Sequence, residues 1–436
     1  MWYHTCVKFL ERKYAKNLDK QIFAAVEICD HEIRLIVGEF FNTRFNIIKT
    51  NRIDAYGLSC EAVVDQNAIV EALKKAVDNA SKTIGARIER VLLCIPSYRV
   101  KCVPLKVRKH IDSIDGCCTA LDIKDALKRA MQTKVPNDLA LIQAVPIKYT
   151  VNGISTRRLP INERCDELVV DVDLLCADRK FAFDLVECVE KAGLEVMDIA
   201  LDTFAIAKEG ALFEQAIKQN IIILKMERLS TSLALLQKGK LVACDTYRFG
   251  LNKPIGQICD KFSLSGQIGA KLLLSNVRVD LSVYSDNPIY IYAINGQTQT
   301  ISENQLVKCI QGDLKIWLDG IESLCKPILQ QGQTTVIITG EGAQLMGLDH
   351  LLQERLNVEV KSYTPETLGV RNSSLTACLG LFYAYKDQLP ITNYQVNSVD
   401  MDAFMKTINY KANNASNDPE ESITQKLKGI LFETKK

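Results

Sequence analysis

Fifteen cysteines and four histidines are the side chains of this 436-residue chain best suited to hold metals or act as nucleophiles. Their spacing builds neither chemistry. The cysteines sit singly in apolar runs such as Leu92-Leu93-Cys94-Ile95 and Leu174-Leu175-Cys176, where a thiol acts as a small buried hydrophobe. The one adjacent pair is Cys117-Cys118, and no Cys-x-x-Cys occurs. With His4, His31, His110 and His350 scattered, no zinc pattern forms, and no metal ligand or catalytic residue is expected. An odd cysteine count without a secretory signal points to a reducing compartment.

Four stretches retain chemical interest. The polar clusters Cys29-Asp30-His31-Glu32 and 225–230 each separate two apolar runs, and Gly340-Glu341-Gly342-Ala343 follows a third. The last fifteen residues, SITQKLKGILFETKK, place Ile423, Leu427, Ile430 and Leu431 on one helical face. Lys426, Lys428, Lys435 and Lys436 surround that face against a single Glu433. A basic amphipathic helix of this kind lies in the interface of an anionic membrane. The expected membrane-binding residues are Ile423, Lys426, Leu427, Lys428, Ile430 and Leu431. Four buried aliphatics supply roughly 6 to 12 kcal/mol gross, while ordering a dozen residues costs on the order of 1 to 2 kcal/mol apiece. The net contact is weak and reversible, and holds only when many copies act together.

Bulk properties narrow the class. A net charge of +2 speaks against a general nucleic-acid binder. Hydrophobic content of 47% with 24% charged residues is that of an ordinary globular body, and the length asks for two to four lobes. No apolar run nears the ~20 residues a spanning helix needs.

The elements follow from periodicity. Runs at 21–28 and 33–41 read as a β-hairpin. Residues 67–84 carry apolar positions at helical spacing, and 91–95 is a buried strand. A different unit follows: a helix at 121–134, a strand at 140–151, an Asn152-Gly153 turn, a strand at 168–176 and a helix at 178–192 closed by Gly193. Strands at 221–224, 231–237 and 241–247 repeat the opening hairpin half a chain later, which suggests two similar lobes. Later come a strand at 336–339, a helix at 348–356, a strand at 358–363 and a helix at 373–385. Residues 387–421, rich in Asn, Asp and Ser, read as a flexible linker. Residues 1–20 read as an exposed helix, with a second weak membrane contact as the alternative.

This order resembles the actin-like superfamily, and within it the bacterial cell-division FtsA family, over about residues 24–385. The resemblance is carried by Lys191-Ala192-Gly193-Leu194, Ile199-Ala200-Leu201 and Phe204-Ala205-Ile206-Ala207. It also rests on the run from Ala144-Val145-Pro146-Ile147 to Asn152-Gly153, with Pro160 and Leu168 beyond, which looks like that family's extra small domain. It implies an α/β, actin-like two-lobed fold with an FtsA-type small inserted domain, then a flexible tail and an amphipathic helix. The implied lobes are 21–90 with 173–218, and 219–251 with 332–386. The insert is 91–172, a second-lobe subdomain facing FtsZ is 252–331, the linker 387–421 and the membrane-targeting helix 422–436.

The family holds a nucleotide in glycine-containing hairpin turns, with an Asp in each hairpin organising the metal. Here the aligned residues are Glu27-Ile28-Cys29-Asp30-His31-Glu32 and Lys225-Met226-Glu227-Arg228-Leu229-Ser230-Thr231-Ser232. The glycines are gone, and acids stand where phosphates would lie; a like-charge pair at 4 Å costs roughly 1 to 4 kcal/mol. The family's Glu and Lys on the ribose-facing helix align with Ile268 and Lys271. Cofactor-binding candidates are therefore Lys271, Gly340 and Gly342. Gly340-Glu341-Gly342-Ala343 either carries an adenine or caps a strand–helix junction. Two readings remain: an ATP site rebuilt with Lys225, Arg228 and Lys271 on the phosphates, or a pseudo-ATPase that keeps the fold without Mg-ATP. The second is favoured.

The implied function is a cell-division scaffold that tethers FtsZ filaments (the Z ring) to the cytoplasmic face of the plasma membrane at the division site. It would work by actin-like self-association, with other division proteins as further partners and no nucleic acid. The alternatives are an actin-like ATPase or nucleotide-dependent switch, and a type IV pilus assembly actin homologue.

Overall fold

The computed structural model describes residues 20–41, 44–113, 115–294, 296–392, 397–402, 404 and 406. The tail helix at 422–436, most of the linker and the N-terminal extension lie outside the described residues.

The first lobe begins as an antiparallel meander of β1 (Lys20–Ile28), β2 (Glu32–Phe41) and β3 (Arg44–Asp54). The crossover helix α1 (Gln66–Ile84) then leads to β4 (Arg90–Ile95), parallel to β1. Asp65 caps α1 by accepting from the Ala68 N–H, and Gly85, at φ 77°, ends it. Ile69, Leu73, Ala76 and Ala80 turn to the sheet, as their spacing predicts.

The chain leaves this sheet for a small one of β5 (Lys101–His110), β6 (Leu139–Val151), β7 (Ile154–Thr156) and β8 (Glu167–Asp178), in the order β5-β8-β6-β7. Asn152 and Gly153 make the β6–β7 turn with positive φ at both positions. α2 (Ala120–Met131), opened by a Thr119–Asp122 capping box, covers this sheet. The chain then returns through α3 (Arg179–Lys191) to β9 (Glu195–Leu201), parallel to β4. Both boundaries of the insert differ from expectation. Residues 91–95, grouped by sequence with the insert, form β4 in the first sheet, because β4 fills the place between β1 and β9. The inserted sheet itself spans 101–178.

After α4 (Asp202–Glu209) and the short α5 (Leu212–Gln215), the second lobe repeats the plan. β10 (Asn220–Met226), β11 (Thr231–Gln237) and β12 (Lys240–Tyr247) form a meander, with β15 (Thr334–Thr339) and β16 (Glu359–Ser362) parallel beyond β10. The strand orders β3-β2-β1-β4-β9 and β12-β11-β10-β15-β16 correspond one to one. The crossover from β12 to β15 is long: α6 (Asn252–Phe262), α7 (Gly266–Asn276), a hairpin of β13 (Pro288–Ile294) and β14 (Gln297–Ser302), and α8 (Glu303–Leu329). α9 (Leu348–Leu356) joins β15 to β16.

Each lobe's last strand feeds a helix at the molecular centre: α4 after β9, and α10 (Thr376–Lys386) after β16. The two pack against each other so closely that a Cβ on Gly380 would lie 2.0 Å from the Ala205 carbonyl oxygen. α10 buries Leu379 and Phe382 in the first lobe's core.

The linker also departs from expectation. α11 (Leu389–Thr392) follows α10, and 397–399 docks on the first sheet. There the Ile22 N–H donates to Asn397 Oδ1, the Ala24 N–H to Ser398 Oγ, and the Ser398 N–H to the Ile22 carbonyl. Val399 and Phe404 are buried. A short polar sequence is held here by unpaired strand edges, a partner that composition does not reveal.

Candidate functional site: a charge-filled cleft between the lobes

The hairpin turns of the two lobes face each other. The register pairs Ile28 with Ile33 and Met226 with Thr231, so the turns are 29–32 and 227–230. Each closes with one backbone bond, Cys29 N–H to Glu32 O and Glu227 N–H to Ser230 O, both 2.9 Å. Neither turn contains a glycine, and none of its residues has positive φ. A cradle of backbone N–H groups around phosphate is therefore not built here.

Side chains fill the space. Arg34, fully buried on β2, donates through Nη1 and Nη2 to both carboxylate oxygens of Glu227 at 2.8 and 2.7 Å, across the lobe boundary. It also donates to Glu32 at 2.6 Å and reaches Glu27 at 3.4 Å. Lys225 crosses in the other direction, with Nζ 2.6 Å from Glu27 and 2.9 Å from Asp202. Ser97 and Thr203 hold Asp202 in place through hydrogen bonds. The Leu229 N–H donates to Asp30 across the cleft at 2.6 Å. At the rim, Arg248 pairs with Glu61, and Gln267 on α7 donates to Asp54.

The electrostatics follow from burial opposed by pairing. Burial favours the neutral form of each group, yet Asp202, Glu27 and Glu227 hold Lys225 well above its ordinary range. Arg34 draws Glu227 down in the same way. Arg34 and Arg52 hold Glu32 at about 2 against the upward push of burial. Burial lowers His31, but its bond to Asp30 and the carboxylates of Glu341 and Glu227 leave it above its ordinary value. Burial pushes the Cys29 thiol well up, so it is no nucleophile.

The predicted phosphate partners are committed elsewhere. Lys225 is held by Glu27 and Asp202, and Arg228 by a bidentate pair with Glu341 at 2.9 Å for each bond. Lys271 is exposed on α7 and, among the described residues, joins none of these ion pairs. Gly340 and Gly342 do lie at the cleft, with a different reason for being glycine. At φ 79°, a Cβ on Gly340 would stand 2.7 Å from the Met226 carbonyl, and one on Gly342 would strike the Met226 side chain at 2.6 Å. Close approach to β10 accounts for both.

The space left beside the turns is a cavity of about 40 Å³, lined by Cys29, Asp30, Ser59, Cys60, Asp202, Lys225 and Glu227. Small-molecule sites usually offer about 300 to 1,000 Å³. The acids in the cleft also present acceptors where a triphosphate needs donors. The residues present do not fit a nucleoside triphosphate.

The residues missed from sequence are Arg34 and Asp202. A signal for the first was available: Ile33-Arg34-Leu35-Ile36-Val37 puts a charge inside a fully buried strand, which implies a buried partner of opposite sign.

No protein-family model matches the chain. Curated relatives do. The cell-division protein FtsA of Bacillus subtilis (strain 168) is 21% identical over 369 residues, covering 83% of this chain and 83% of that protein. FtsA of Streptococcus pneumoniae is 22% identical over 362 residues, covering 82% and 79%. Among solved structures, a chain of a PilM-PilN type IV pilus biogenesis complex superposes with TM-score 0.55 at 15% identity, covering 82% of this chain and 97% of that one. MreB 5 of Spiroplasma citri bound to AMPPNP gives TM-score 0.50 at 11% identity, covering 86% and 98%. The two duplicated lobes are thus those of the actin-like fold.

Proposed function

We propose that this chain, a divergent FtsA-like protein of the actin fold, serves bacterial cell division as a scaffold that links FtsZ filaments to the cytoplasmic face of the plasma membrane. The observation that carries the scaffold reading is the cleft. Where an actin-like motor opens and closes on nucleotide, here Arg34, Lys225 and Asp30 join the lobes directly, so a fixed body is the natural product of the fold. The curated relatives support the division role.

The membrane contact rests on the tail at 422–436 and its residues Ile423, Lys426, Leu427, Lys428, Ile430 and Leu431. No helix among the described residues is long and apolar enough to cross a membrane. The inserted domain, with its sheet at 101–178, and the lobes provide surfaces for self-association. The 252–331 subdomain, with the exposed Ile289 and Ile291 of β13, is the surface offered to FtsZ. A single tail binds weakly, so attachment depends on assembly.

The PilM likeness supports a second reading, a type IV pilus assembly component. Pull-down of the full chain with purified FtsZ separates the two. Retention of FtsZ that is lost when 252–331 is altered supports the division scaffold. No retention at micromolar concentrations removes it.

A further inference from the structure

One group in the cleft is not satisfied by the ion pairs. His31 is 8% exposed, and its Nδ1 lies 2.7 Å from Asp30 Oδ1. A carboxylate only accepts, so that contact puts a hydrogen on Nδ1 and, in the neutral ring, leaves Nε2 with a lone pair. Nε2 is buried and, among the described residues, has no hydrogen-bond partner. It points at two acceptors, Glu341 Oε2 at 3.5 Å and Glu32 Oε1 at 3.7 Å. Glu32 Oε1 already accepts from Arg34 and Arg52, and Glu341 Oε2 from Arg228, so what is left uncompensated is the neutral ring's Nε2 facing both, which a cation at that point would relieve.

The surrounding charge points the same way. The connected network holds six carboxylates (Glu27, Asp30, Glu32, Asp202, Glu227, Glu341) against four cations (Arg34, Arg52, Lys225, Arg228). With His31 neutral, two negative charges remain among the described residues in a mostly buried setting, where an uncompensated charge is costly.

We propose that His31, Glu227 and Glu341 form a binding site for a divalent first-row metal ion, with zinc the best match, that clamps the two lobes together. One ligand atom from each of the three lies within 4.8 Å of the others, and all three residues are buried. Two ligands each 2.0–2.1 Å from a tetrahedral ion stand about 3.3 Å apart, close to the His31–Glu341 separation. One imidazole with carboxylates is a ligand set that zinc and its neighbours accept. Asp30 supplies the second-layer carboxylate that metal-bound histidines usually have, fixing the tautomer and the ring. Glu227 and Glu341 each give arginine two bonds, and a carboxylate offers about four lone-pair positions, so each keeps capacity for the ion. His31 belongs to the first lobe's turn and the two glutamates to the second lobe. The ion therefore spans the cleft at the point where the turns meet. The competing account is a second proton on His31 with no metal.

Sequence alone could not expose this group, since its members lie almost two hundred and more than one hundred residues apart and share no motif spacing.

The test uses the full chain stripped with a chelator and titrated with zinc alone or cobalt(II) alone. Retention of one equivalent per chain, a rise in melting temperature on zinc addition, and a cobalt spectrum of nitrogen and oxygen ligation are expected. Asp30→Asn should weaken zinc 10- to 100-fold, and His31→Gln should abolish the thermal response. Zinc that leaves the melting temperature of the wild-type chain unchanged overturns the proposal in favour of the proton, without recourse to any variant. A thiolate-to-cobalt charge-transfer band, or zinc uptake unchanged in folded His31→Gln, overturns it in favour of the cysteines.

Discussion

Arg34 is fully buried and touches three carboxylates, so its removal leaves Glu27, Glu32 and Glu227 facing one another. Arg34→Met is expected to lower stability by roughly 3 to 5 kcal/mol, the usual effect of breaking a buried pair from one side. Urea unfolding measures it, and a loss below about 1 kcal/mol would remove Arg34 from its place at the centre of the cleft. A second residue sets a pH dependence. Burial lifts the Glu209 carboxyl to about 7, against a hydrogen bond from Tyr363 that lowers it. The folded state thus keeps this proton up to about pH 7, while the unfolded chain loses it near 4.5. Folding holds more protons across that window, so stability falls as pH rises through it, by up to about 3 kcal/mol. Glu209→Gln is expected to flatten this fall: its melting temperature should exceed that of the wild type at pH 8 and approach it at pH 4.5. At this scale the sequence showed which groups were unusual, Cys29 to Glu32 and Lys225 to Ser230, but not what they touched. Glu27 and Lys225 are 198 residues apart, and only the meeting of the lobes makes them a pair.

Among the elements, those with a clean pattern were legible. The buried hairpins, α1 and the Asn152-Gly153 turn all followed from periodicity and turn chemistry. β3 was not, because Arg44–Asp54 lies at a sheet edge with both faces partly wet, so its apolar and polar residues do not alternate. α8 was also hidden. Gly312, Gly320 and Pro327 punctuate its pattern, yet Gly320 is there because the Tyr247 ring packs where its side chain would be. The docked residues 397–402 and 404 resemble a linker by composition and behave as a strap by contact. Ending the chain after residue 406 should leave the body's stability unchanged. Ending it after 396 removes the buried Val399 and Phe404 and uncovers the Ile22 and Ala24 amides. A loss of roughly 2 to 4 kcal/mol is expected, with faster hydrogen exchange at those two amides. Equal exchange in the two truncations would show that the segment does not hold the first sheet.

At the scale of the molecule, two lobes of one plan meet across a cleft whose polar contents are mostly paired with each other. Arg34, Lys225 and Asp30 join the two lobes directly across that cleft. The duplication was visible in sequence as two hairpins half a chain apart. The crossing of α4 and α10 that holds the lobes together was not, since Ala205 and Gly380 signal their contact only through small size. On the proposed reading, a body joined directly across its cleft and carrying a weakly binding tail acts as one link in an array. The most direct measurement is flotation of purified FtsZ with anionic vesicles in the presence of the full chain, with and without Mg-ATP. The account predicts that FtsZ floats equally in both conditions, steeply with protein concentration, and not at all when 422–436 is deleted. Flotation that requires Mg-ATP, or that survives loss of the tail, would contradict it.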